Sequence, residues 1–304
     1  MKQILQDLSS GSTLLVEVPR PAPPSAGVLV RTRTSLISAG TERMLVGFGR
    51  AGWMNKARQQ PDKVREVLNK TRTDGVLATV EAVRSKLGQP ISLGYSNVGV
   101  VEELGEKVSE FSVGDRVVSN GPHAEYVTVG RNLCVKVPEE VSDEEASFTV
   151  LGATALQGIR LSRPALGECF VVIGLGVIGL IAVQLLRANG CRVLGIDPDP
   201  NKTALGRHFG AETVESGQNE DTIAAAHAFS RGRGVDGAIV AAATKSSAPM
   251  NQAAQMCRQR GRVIQVGVTG LEVERELVFR KELVIQVSNS TGPGKGDPSY
   301  EEQG

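Results

Sequence analysis

The sequence has few aromatic residues, almost no net charge and no long hydrophobic run. Only 4% of its 304 residues are Phe, Trp or Tyr, which leaves little surface on which nucleic acid bases could stack. Its 34 basic residues nearly cancel its 33 acidic residues, giving a formal charge of +1. Binding to nucleic acids or anionic membranes needs clustered basic residues. We therefore expect no nucleic acid and no membrane among its partners.

Signals for export or membrane insertion are also missing. The longest apolar run, residues 169–183, contains three glycines and is shorter than the roughly 18 to 20 residues that cross a bilayer. The first residues lack the basic start and long apolar core of a secretory signal. None of the four cysteines belongs to a C-x-x-C motif, which is typical of buried, reduced thiols. These features predict a cytoplasmic protein.

The pattern of apolar residues divides the chain into two domains. Up to about residue 138, short β-branched runs are separated by Gly, Pro, Asn or Asp, which predicts a β-rich domain. Within it, residues 54–87 change to three- and four-residue spacing, which predicts an insert of two amphipathic helices. Further on, apolar strands alternate with helical stretches, which indicates a parallel sheet covered on both faces. We predict domains at residues 1–150 and 151–304.

A glycine-rich motif, GLGVIG, follows the predicted strand CFVVI and begins a predicted helix. In this context G-x-G-x-x-G indicates a dinucleotide-binding turn, with the amides of the helix start, at Val177 and Ile178, facing a pyrophosphate. Gly174 would make the tight turn, Gly176 would let the backbone approach the phosphates, and Gly179 would let the helix pack on the strand. The alternative is that these glycines serve packing alone.

The next predicted strand ends at Asp197, 21 residues beyond Gly176. A carboxylate at this position accepts hydrogen bonds from both ribose hydroxyls of the adenosine half of NAD. Its charge would repel the 2′-phosphate of NADP, so we expect NAD as the cofactor and NADP as the less favoured one. Lys202 and Arg207 lie nearby in the sequence and would act in the opposite direction.

With these motifs placed, nearly the whole chain resembles the medium-chain dehydrogenase/reductase superfamily. The resemblance is carried by GVLVRTRTSLISAGTER, LGYSNVGVVEELGEKVSEFSVGDRVV, HAEYVTV, LGATALQGI, the glycine motif and FRKELVIQVSNS, in that order. It implies an α/β protein in which a partly open, GroES-like β-barrel domain joins a doubly wound Rossmann domain. The helical insert, ISAGTER and LGYSNVGVV are most similar to two-domain oxidoreductases, in which such a unit precedes a second oxidoreductase module.

The chain departs from the family where zinc-dependent members hold their catalytic metal. It has Ala39 where they have Cys and Tyr95 where they have His, and the third ligand position falls near Val150. The neighbouring carboxylate position is Ser96. Ala and Val have no donor atom, and Tyr and Ser are poor substitutes for imidazole and thiolate. The cysteine-rich lobe for structural zinc is missing as well, so we expect no bound metal.

The resemblance implies a hydroxyl-based site in place of the metal. It places Thr41 at the hydroxyl of the family's proton relay and Tyr95 in the vacated metal position. A phenol is protonated at neutral pH and donates a hydrogen bond without help from a metal. We hypothesise that Tyr95, with Thr41 and Ser38 or Glu42, polarises the substrate oxygen. The alternative is that Tyr95 only fills the space left by the metal.

His123 is a second candidate acid or base, because the family pattern places it at a strand edge that faces the cleft. The alternative is a histidine in a surface turn. Glu42 would pair only with Arg43 or another cation if no zinc is bound. The resemblance also places Thr154 against the nicotinamide, and the predicted cofactor-binding set further includes Lys202, Ala241, Val266 and Gly267.

The resulting prediction is a zinc-independent, NAD(P)-dependent oxidoreductase that transfers a hydride between nicotinamide and a small alcohol or carbonyl substrate. One alternative is an NADPH-dependent quinone or enone reductase. Another is a cofactor-binding module of a larger oxidoreductase, because the sequence stops at Gly304, before the segment with which family members return to the catalytic domain. The family also implies a homodimer paired through the predicted strand LVIQVSN.

Overall fold

Apolar residues alternating along the N-terminal half form two antiparallel sheets in this computed structural model, which describes residues 1–50, 89–217, 221–295 and 300. The chain divides into two units, Met1–Thr149 and Val150–Gly304. The predicted helical insert, residues 54–87, lies outside the described residues. In the described part of the chain, no helix is long and apolar enough to cross a membrane.

The first unit contains a five-stranded sheet in the order β7-β3-β5-β6-β8 and a three-stranded sheet in the order β2-β1-β4. Its strands are β1 (Lys2–Gln6), β2 (Thr13–Glu17), β3 (Gly27–Ser35), β4 (Ile91–Ser92), β5 (Asn97–Leu104), β6 (Arg116–Ser119), β7 (Tyr126–Gly130) and β8 (Cys134–Lys136). Alternate residues of the larger sheet, including Val28, Val30, Val101 and Val117, point inward and are fully buried. The short β-branched runs of this half form strands, as predicted.

The segment after β3 forms a helix, α1 (Ala39–Arg50), which the sequence patterns did not predict. Two hydrogen bonds between Ser38 and Glu42 hold the first turn of α1. The Glu42 N–H donates to the Ser38 carbonyl oxygen, and the Ser38 N–H donates to the Glu42 carboxylate at 2.8 Å. The first is the regular opening bond of the helix, and the second gives a partner to the Ser38 N–H, which a helix start leaves unpaired. A second, short helix, α2 (Asp143–Ala146), begins at a capping box of Ser142 and Glu145.

The second unit is a six-stranded parallel sheet with helices on both faces, which confirms the predicted doubly wound α/β class. The strands are β9 (Cys169–Ile173), β10 (Arg192–Asp197), β11 (Glu212–Glu215), β12 (Val235–Val240), β13 (Cys257–Gln265) and β14 (Val284–Val287). The helices are α3 (Thr149–Ser162), α4 (Val177–Ala188), α5 (Pro200–His208), α6 (Thr222–Phe229), α7 (Ala248–Met256) and α8 (Arg275–Lys281).

The order of the strands, β11-β10-β9-β12-β13-β14, reverses direction between β9 and β12. Successive residues of β9 alternate between two hydrophobic clusters, with Val171 in one and Val172 in the other, so each face of the sheet has its own core. In open parallel sheets the crevice for a ligand lies at the carboxyl ends of the strands, where the order reverses. This topology directs attention to the ends of β9 and β12.

Two ion pairs lie at the amino end of the same sheet. Arg258 Nε lies 2.6 Å from Asp236 Oδ1, and Arg262 lies 2.6 Å from Glu168 Oε1. Burial raises the pKa of Asp236, but the hydrogen bond from the Cys169 N–H and the ion pair with Arg258 outweigh it, so the pKa lies below its ordinary value. The polar groups at this end satisfy one another.

Burial keeps two of the four cysteines in the protonated, unreactive form. Cys169, Cys191 and Cys257 are buried and Cys134 is half-buried, and all four are free thiols. Burial raises the pKa of Cys134 and of Cys257 to about 12. Both thiols are therefore protonated at neutral pH and are weak nucleophiles.

Candidate functional site

The turn after β9 has the backbone geometry that only glycine adopts easily. Gly174 has a φ of +93°, and a Cβ there would lie 2.7 Å from the backbone nitrogen of Ala242, just beyond the end of β12. Its N–H donates to the Ile196 carbonyl oxygen at 2.8 Å. The first glycine of the motif therefore makes a tight turn between β10 and β12, at the point where the strand order reverses.

The other two glycines of the motif differ in what surrounds them. A Cβ at Gly179 would lie 1.9 Å from the Gly174 carbonyl oxygen, whereas a Cβ at Gly176 would meet no atom within 4 Å. Gly179 is thus required for packing, and Gly176 borders open space at the start of α4. Val177 and Ile178 are the first residues of that helix, and Val177 is exposed. Open space beside unpaired helix amides fits a phosphate group.

Asp197 ends β10 and is only 4% exposed. Its Oδ2 accepts a hydrogen bond from the Leu175 N–H at 2.8 Å, and its Oδ1 accepts one from the Asp199 N–H at 3.0 Å. Lys202 Nζ lies 3.6 Å from Oδ1 and its side chain is 44% exposed. Arg207 instead donates to Thr213 Oγ1. The structure brings Asp197 and Lys202 to the glycine turn.

Three further predicted residues lie along the same edge of the sheet. The Ala241 N–H donates to the Ile173 carbonyl oxygen at 2.8 Å, and the N–H groups of Val266 and Gly267 both donate to the Val240 carbonyl oxygen. They follow the carboxyl ends of β12 and β13. Thr154 lies in α3, where its hydroxyl donates to a carbonyl oxygen of the preceding turn. Its contact with a nicotinamide stays a prediction.

In the first unit, the predicted hydroxyl groups form one cluster. The Tyr95 hydroxyl donates to Ser38 Oγ at 2.6 Å and lies 3.4 Å from Thr41 Oγ1. Ser38 is buried, Tyr95 is half-buried and Thr41 is exposed. A phenol whose oxygen is flanked by two hydroxyl groups has a fixed orientation and a choice of donor or acceptor roles. We call Tyr95, Ser38 and Thr41 the hydroxyl cluster.

His123 and Glu42 form a buried pair beside the hydroxyl cluster. His123 Nε2 lies 3.1 Å from Glu42 Oε2, and both side chains are about one-tenth exposed. His123 is therefore buried and does not lie in a surface turn, and the partner of Glu42 is His123 and not Arg43. The cause is that the N–H of Ser38 holds the other Glu42 oxygen at 2.8 Å and turns the carboxylate inward.

The sequence analysis missed two residues that fix His123. Ser35 Oγ lies 2.8 Å from His123 Nδ1, so both ring nitrogens have partners. Gly94 has a φ of +88°, and a Cβ there would lie 2.7 Å from the ring atoms Cγ and Cδ2. Gly94 stands directly before Tyr95, which was the available signal for a close backbone approach. Ser35 has no local signal, because its partner is 88 residues away.

The residues at the zinc positions of the family do not fit a zinc ion. Ala39 has no donor atom, the Tyr95 hydroxyl is bonded to Ser38, and Ser96 Oγ donates to the Ser147 carbonyl oxygen at 2.5 Å. Within residues 1–50, 89–217, 221–295 and 300, no group of three His, Cys, Asp or Glu side chains could hold a metal ion. The donor set is one of hydrogen-bonding hydroxyls instead of metal ligands.

Two family models match consecutive parts of the chain. Residues 66–139 match the alcohol dehydrogenase GroES-like domain, and residues 177–298 match the zinc-binding dehydrogenase family. The chain belongs to the medium-chain dehydrogenase/reductase superfamily. The zinc in the second description concerns the family, because its matched range contains none of the positions 39, 95 and 96. The predicted family and the GroES-like domain are thereby confirmed.

Similar proteins include dehydrogenases of this superfamily. The chain is 27% identical over 227 residues to (R,R)-butanediol dehydrogenase of Bacillus subtilis, a match covering 65% of each chain. It spans just under two thirds of the length of the curated relatives it matches.

Two solved structures share the fold. One is a short chain alcohol dehydrogenase of E. coli CFT073 in complex with NADH, with a TM-score of 0.76 at 20% identity, covering 99% of this chain and 86% of that one. The other is a quinone oxidoreductase of Pseudomonas syringae pv. Tomato DC3000, with a TM-score of 0.67 at 21% identity, covering 95% and 80%.

Proposed function

We propose that this medium-chain superfamily member is a zinc-independent, NAD-dependent oxidoreductase. It would transfer a hydride between nicotinamide and the alcohol or carbonyl carbon of a small-molecule substrate in the cytoplasm. One observation carries the proposal: at the position of a zinc-binding histidine, the chain has Tyr95, whose hydroxyl is held by Ser38 beside Thr41. The second unit contributes the glycine turn that would bind the dinucleotide.

The residues of the second unit would hold the cofactor. When bound, the nicotinamide supplies the hydride acceptor or donor, which no amino acid side chain provides. Gly176 would leave room for the backbone to approach the pyrophosphate, and the amides of Val177 and Ile178 would face it from the start of α4. The carboxylate of Asp197 and the ammonium of Lys202, which lie 3.6 Å apart, would hold the ribose end. NAD is the proposed cofactor, with NADP as the alternative.

Tyr95 would polarise the substrate oxygen. Its O–H donates to Ser38 Oγ without substrate, and the Ser38 hydroxyl could reverse the bond and donate to the phenol oxygen when Tyr95 turns toward a carbonyl. Thr41 is the exposed member of the hydroxyl cluster and would offer the substrate a second hydroxyl. Fixed donors aimed at an oxygen that gains negative charge stabilise the transition state of carbonyl reduction.

Glu42 and His123 would support the hydroxyl cluster through their contact with Ser38. Glu42 accepts hydrogen bonds from the Ser38 N–H and from His123 Nε2 when that nitrogen carries the proton. A proton on Nε2 leaves Nδ1 free to accept from the Ser35 hydroxyl. The pair is joined to the hydroxyl cluster through Ser38, whose N–H donates to Glu42 and whose Oγ accepts from Tyr95, so it would hold Ser38 in position for the reaction.

A binding titration followed by a substrate panel tests the proposal. We expect NADH fluorescence to change on binding to the full chain, and we expect oxidation of at least one alcohol or reduction of at least one carbonyl in protein without bound zinc. Binding with no turnover on any substrate would favour the cofactor-binding module. No binding of either dinucleotide at millimolar concentration would refute the proposal.

Quinone or enone reduction is the second candidate, because the missing zinc donors at positions 39 and 95 also suit a reductase of conjugated carbonyls. It differs in its cofactor and in its substrates. Preference for NADPH together with turnover of a quinone, and none of a simple alcohol, would support it. Pairing into a homodimer and association with a second oxidoreductase module stay predictions.

A further inference from the structure

The imidazole of His123 connects a serine hydroxyl to a carboxylate. Its Nδ1 lies 2.8 Å from Ser35 Oγ, and its Nε2 lies 3.1 Å from Glu42 Oε2. Because a carboxylate accepts hydrogen bonds and does not donate them, Nε2 carries the ring proton. Nδ1 is then the acceptor for the Ser35 hydroxyl. A hydroxyl, an imidazole and a carboxylate bonded in this order are the groups that activate serine in hydrolases.

The two ring nitrogens of His123 exchange the roles that they have in serine proteases, where serine bonds to Nε2 and the carboxylate to Nδ1. The proton transfer is equivalent, because either nitrogen of an imidazole can carry the proton. The reaction needs a ring that keeps one nitrogen at each partner. Gly94 packs against this ring, since a Cβ there would lie 2.7 to 2.8 Å from three of its atoms.

Ser35 and His123 line a cavity of about 280 Å³ in the first unit. Ile4, Leu15 and Ala124 give it apolar walls. Of the described residues that line it, none belongs to the hydroxyl cluster. Ligand pockets commonly measure about 300 to 1,000 Å³, so this cavity has the size for a small molecule. A short acyl chain would fit the apolar walls and would bring its carbonyl carbon next to Ser35.

A bulge in β3 brings a second hydroxyl to the same cavity. The register with β5 shifts between Thr32 and Thr34. An unbroken strand would place Thr32 and Ser35 on opposite faces, whereas here both line the cavity. Thr32 Oγ1 accepts from Asn97 Nδ2 at 2.9 Å, which leaves its own proton for another acceptor. A hydroxyl beside the nucleophile can stabilise the oxyanion that forms when an ester carbonyl is attacked.

We propose that Ser35, His123 and Glu42 form an esterase site that hydrolyses small carboxylic esters without the dinucleotide. Ser35 Oγ attacks the ester carbonyl carbon, its proton passes to His123 Nδ1, and the alcohol leaves with that proton. Water then attacks the acyl-serine and gives a proton to the same nitrogen. The acid leaves and the proton returns to Ser35. Glu42 is a positioning residue that acts through His123. This activity does not depend on the proposed hydride transfer.

Hydrolysis of p-nitrophenyl acetate by the full chain, without NAD or NADH, tests the proposal. We expect p-nitrophenolate release faster than in buffer. His123→Gln should lower the catalysed rate by about 10² to 10⁴, the usual contribution of a general base. Ser35→Ala should lower it by a similar factor, because a nucleophile and its base act as a unit. Release no faster than in buffer, or an unchanged rate in Ser35→Ala, would overturn the proposal.

Ser92→Ala is the matched control. Ser92 lies in β4 of the same unit, and its Oγ accepts from Gln3 Nε2 at 2.8 Å. This variant should hydrolyse the probe at the unaltered rate, and a loss equal to that of Ser35→Ala would overturn the proposal. Ser35→Cys separates a lost nucleophile from a lost fold, because its thiol should take up the acetyl group as a thioester visible by mass spectrometry. Absence of that acetyl group would also count against the site.

Glu42→Gln tests the positioning role. The amide of Gln would donate to Nε2, so the ring proton should move to Nδ1, where it blocks transfer from Ser35. We expect nitrogen-15 spectra of His123 to show this change of tautomer, together with a lower kcat and an unchanged KM for p-nitrophenyl acetate. Full kcat with the proton on Nδ1 would show that His123 is not the base and would overturn the proposal.

Discussion

The hydroxyl cluster of the first unit and the glycine turn of the second are both built around buried polar groups, but they use them differently. In the turn, the Asp197 carboxylate fixes backbone, and Gly176 leaves space for a ligand. In the cluster, Tyr95, Ser38 and Thr41 bond to one another through groups that can each donate or accept. Under the proposed function, the turn would be a binding site with a fixed shape and the cluster a reactive site whose hydroxyl protons can change partner.

Tyr95→Phe tests the reactive role proposed for the hydroxyl cluster and has the largest expected effect. The change removes one hydroxyl and preserves the ring, so the fold and cofactor affinity should be kept. Loss of a fixed donor to a developing oxyanion lowers kcat by about 10² to 10³. The measurement is steady-state turnover on the best substrate of the panel.

Tyr126→Phe is the control for this change, because Tyr126 lies in β7 of the same unit and outside the hydroxyl cluster. It should retain full turnover. Full turnover by Tyr95→Phe would mean that Tyr95 only fills the space left by the metal. The hydroxyl cluster would then have no reactive role.

Gly179→Ala and Gly176→Ala together test the roles of two glycines in the glycine turn, one in packing and one in cofactor binding. A Cβ at position 179 would overlap the Gly174 carbonyl oxygen, so we expect a loss of about 3 kcal/mol of unfolding free energy. At position 176 there is room, so stability should be unchanged while NADH affinity falls, because the methyl group would occupy the space left for the pyrophosphate. Denaturant unfolding and NADH titration measure the two effects. Equal stability losses in both variants would contradict this division of roles.

Gly94→Ala tests whether the buried pair depends on a close backbone approach. The new Cβ would lie 2.7 Å from the His123 ring and would strain a residue with positive φ, so we expect a loss of about 2 kcal/mol and a displaced imidazole. Gly114→Ala is matched, because its φ is +95° and no atom lies within 4 Å of the added Cβ. Nitrogen-15 spectra of the three histidines should change at His123 in the first variant alone. The same change in both variants would remove Gly94 from the site.

Asp236→Asn has the smallest expected effect and tests whether a change far from the glycine turn leaves cofactor binding intact. It breaks the ion pair with Arg258 at the amino end of the sheet, for a loss of about 1 kcal/mol at neutral pH. Because the pKa of Asp236 is lowered in the folded state, its contribution is present above the ordinary value of 3.8 and is lost as the pH falls below it. The unfolding difference should shrink in acid, and NADH affinity should be unchanged. A loss of affinity would show that the two ends of the sheet are coupled.

The glycine turn could be predicted from the sequence, since its signal is local: a strand, three glycines and a helix within a short stretch. The contacts of the hydroxyl cluster could not. Tyr95 and Ser38 are 57 residues apart, and His123 and Glu42 are 81 apart, so the family resemblance supplied the residues but not their pairing. Helix α1 was missed because Gly40 and Gly47 lower its propensity, and its start depends on the Ser38 and Glu42 contacts.

Under the proposed function, hydride transfer in this chain needs no zinc. The most direct measurement is turnover alongside metal content, before and after chelation and after zinc is added back. We predict equal turnover in all three samples, with zinc far below one ion per chain. Turnover that rises and falls in proportion to bound zinc would contradict it.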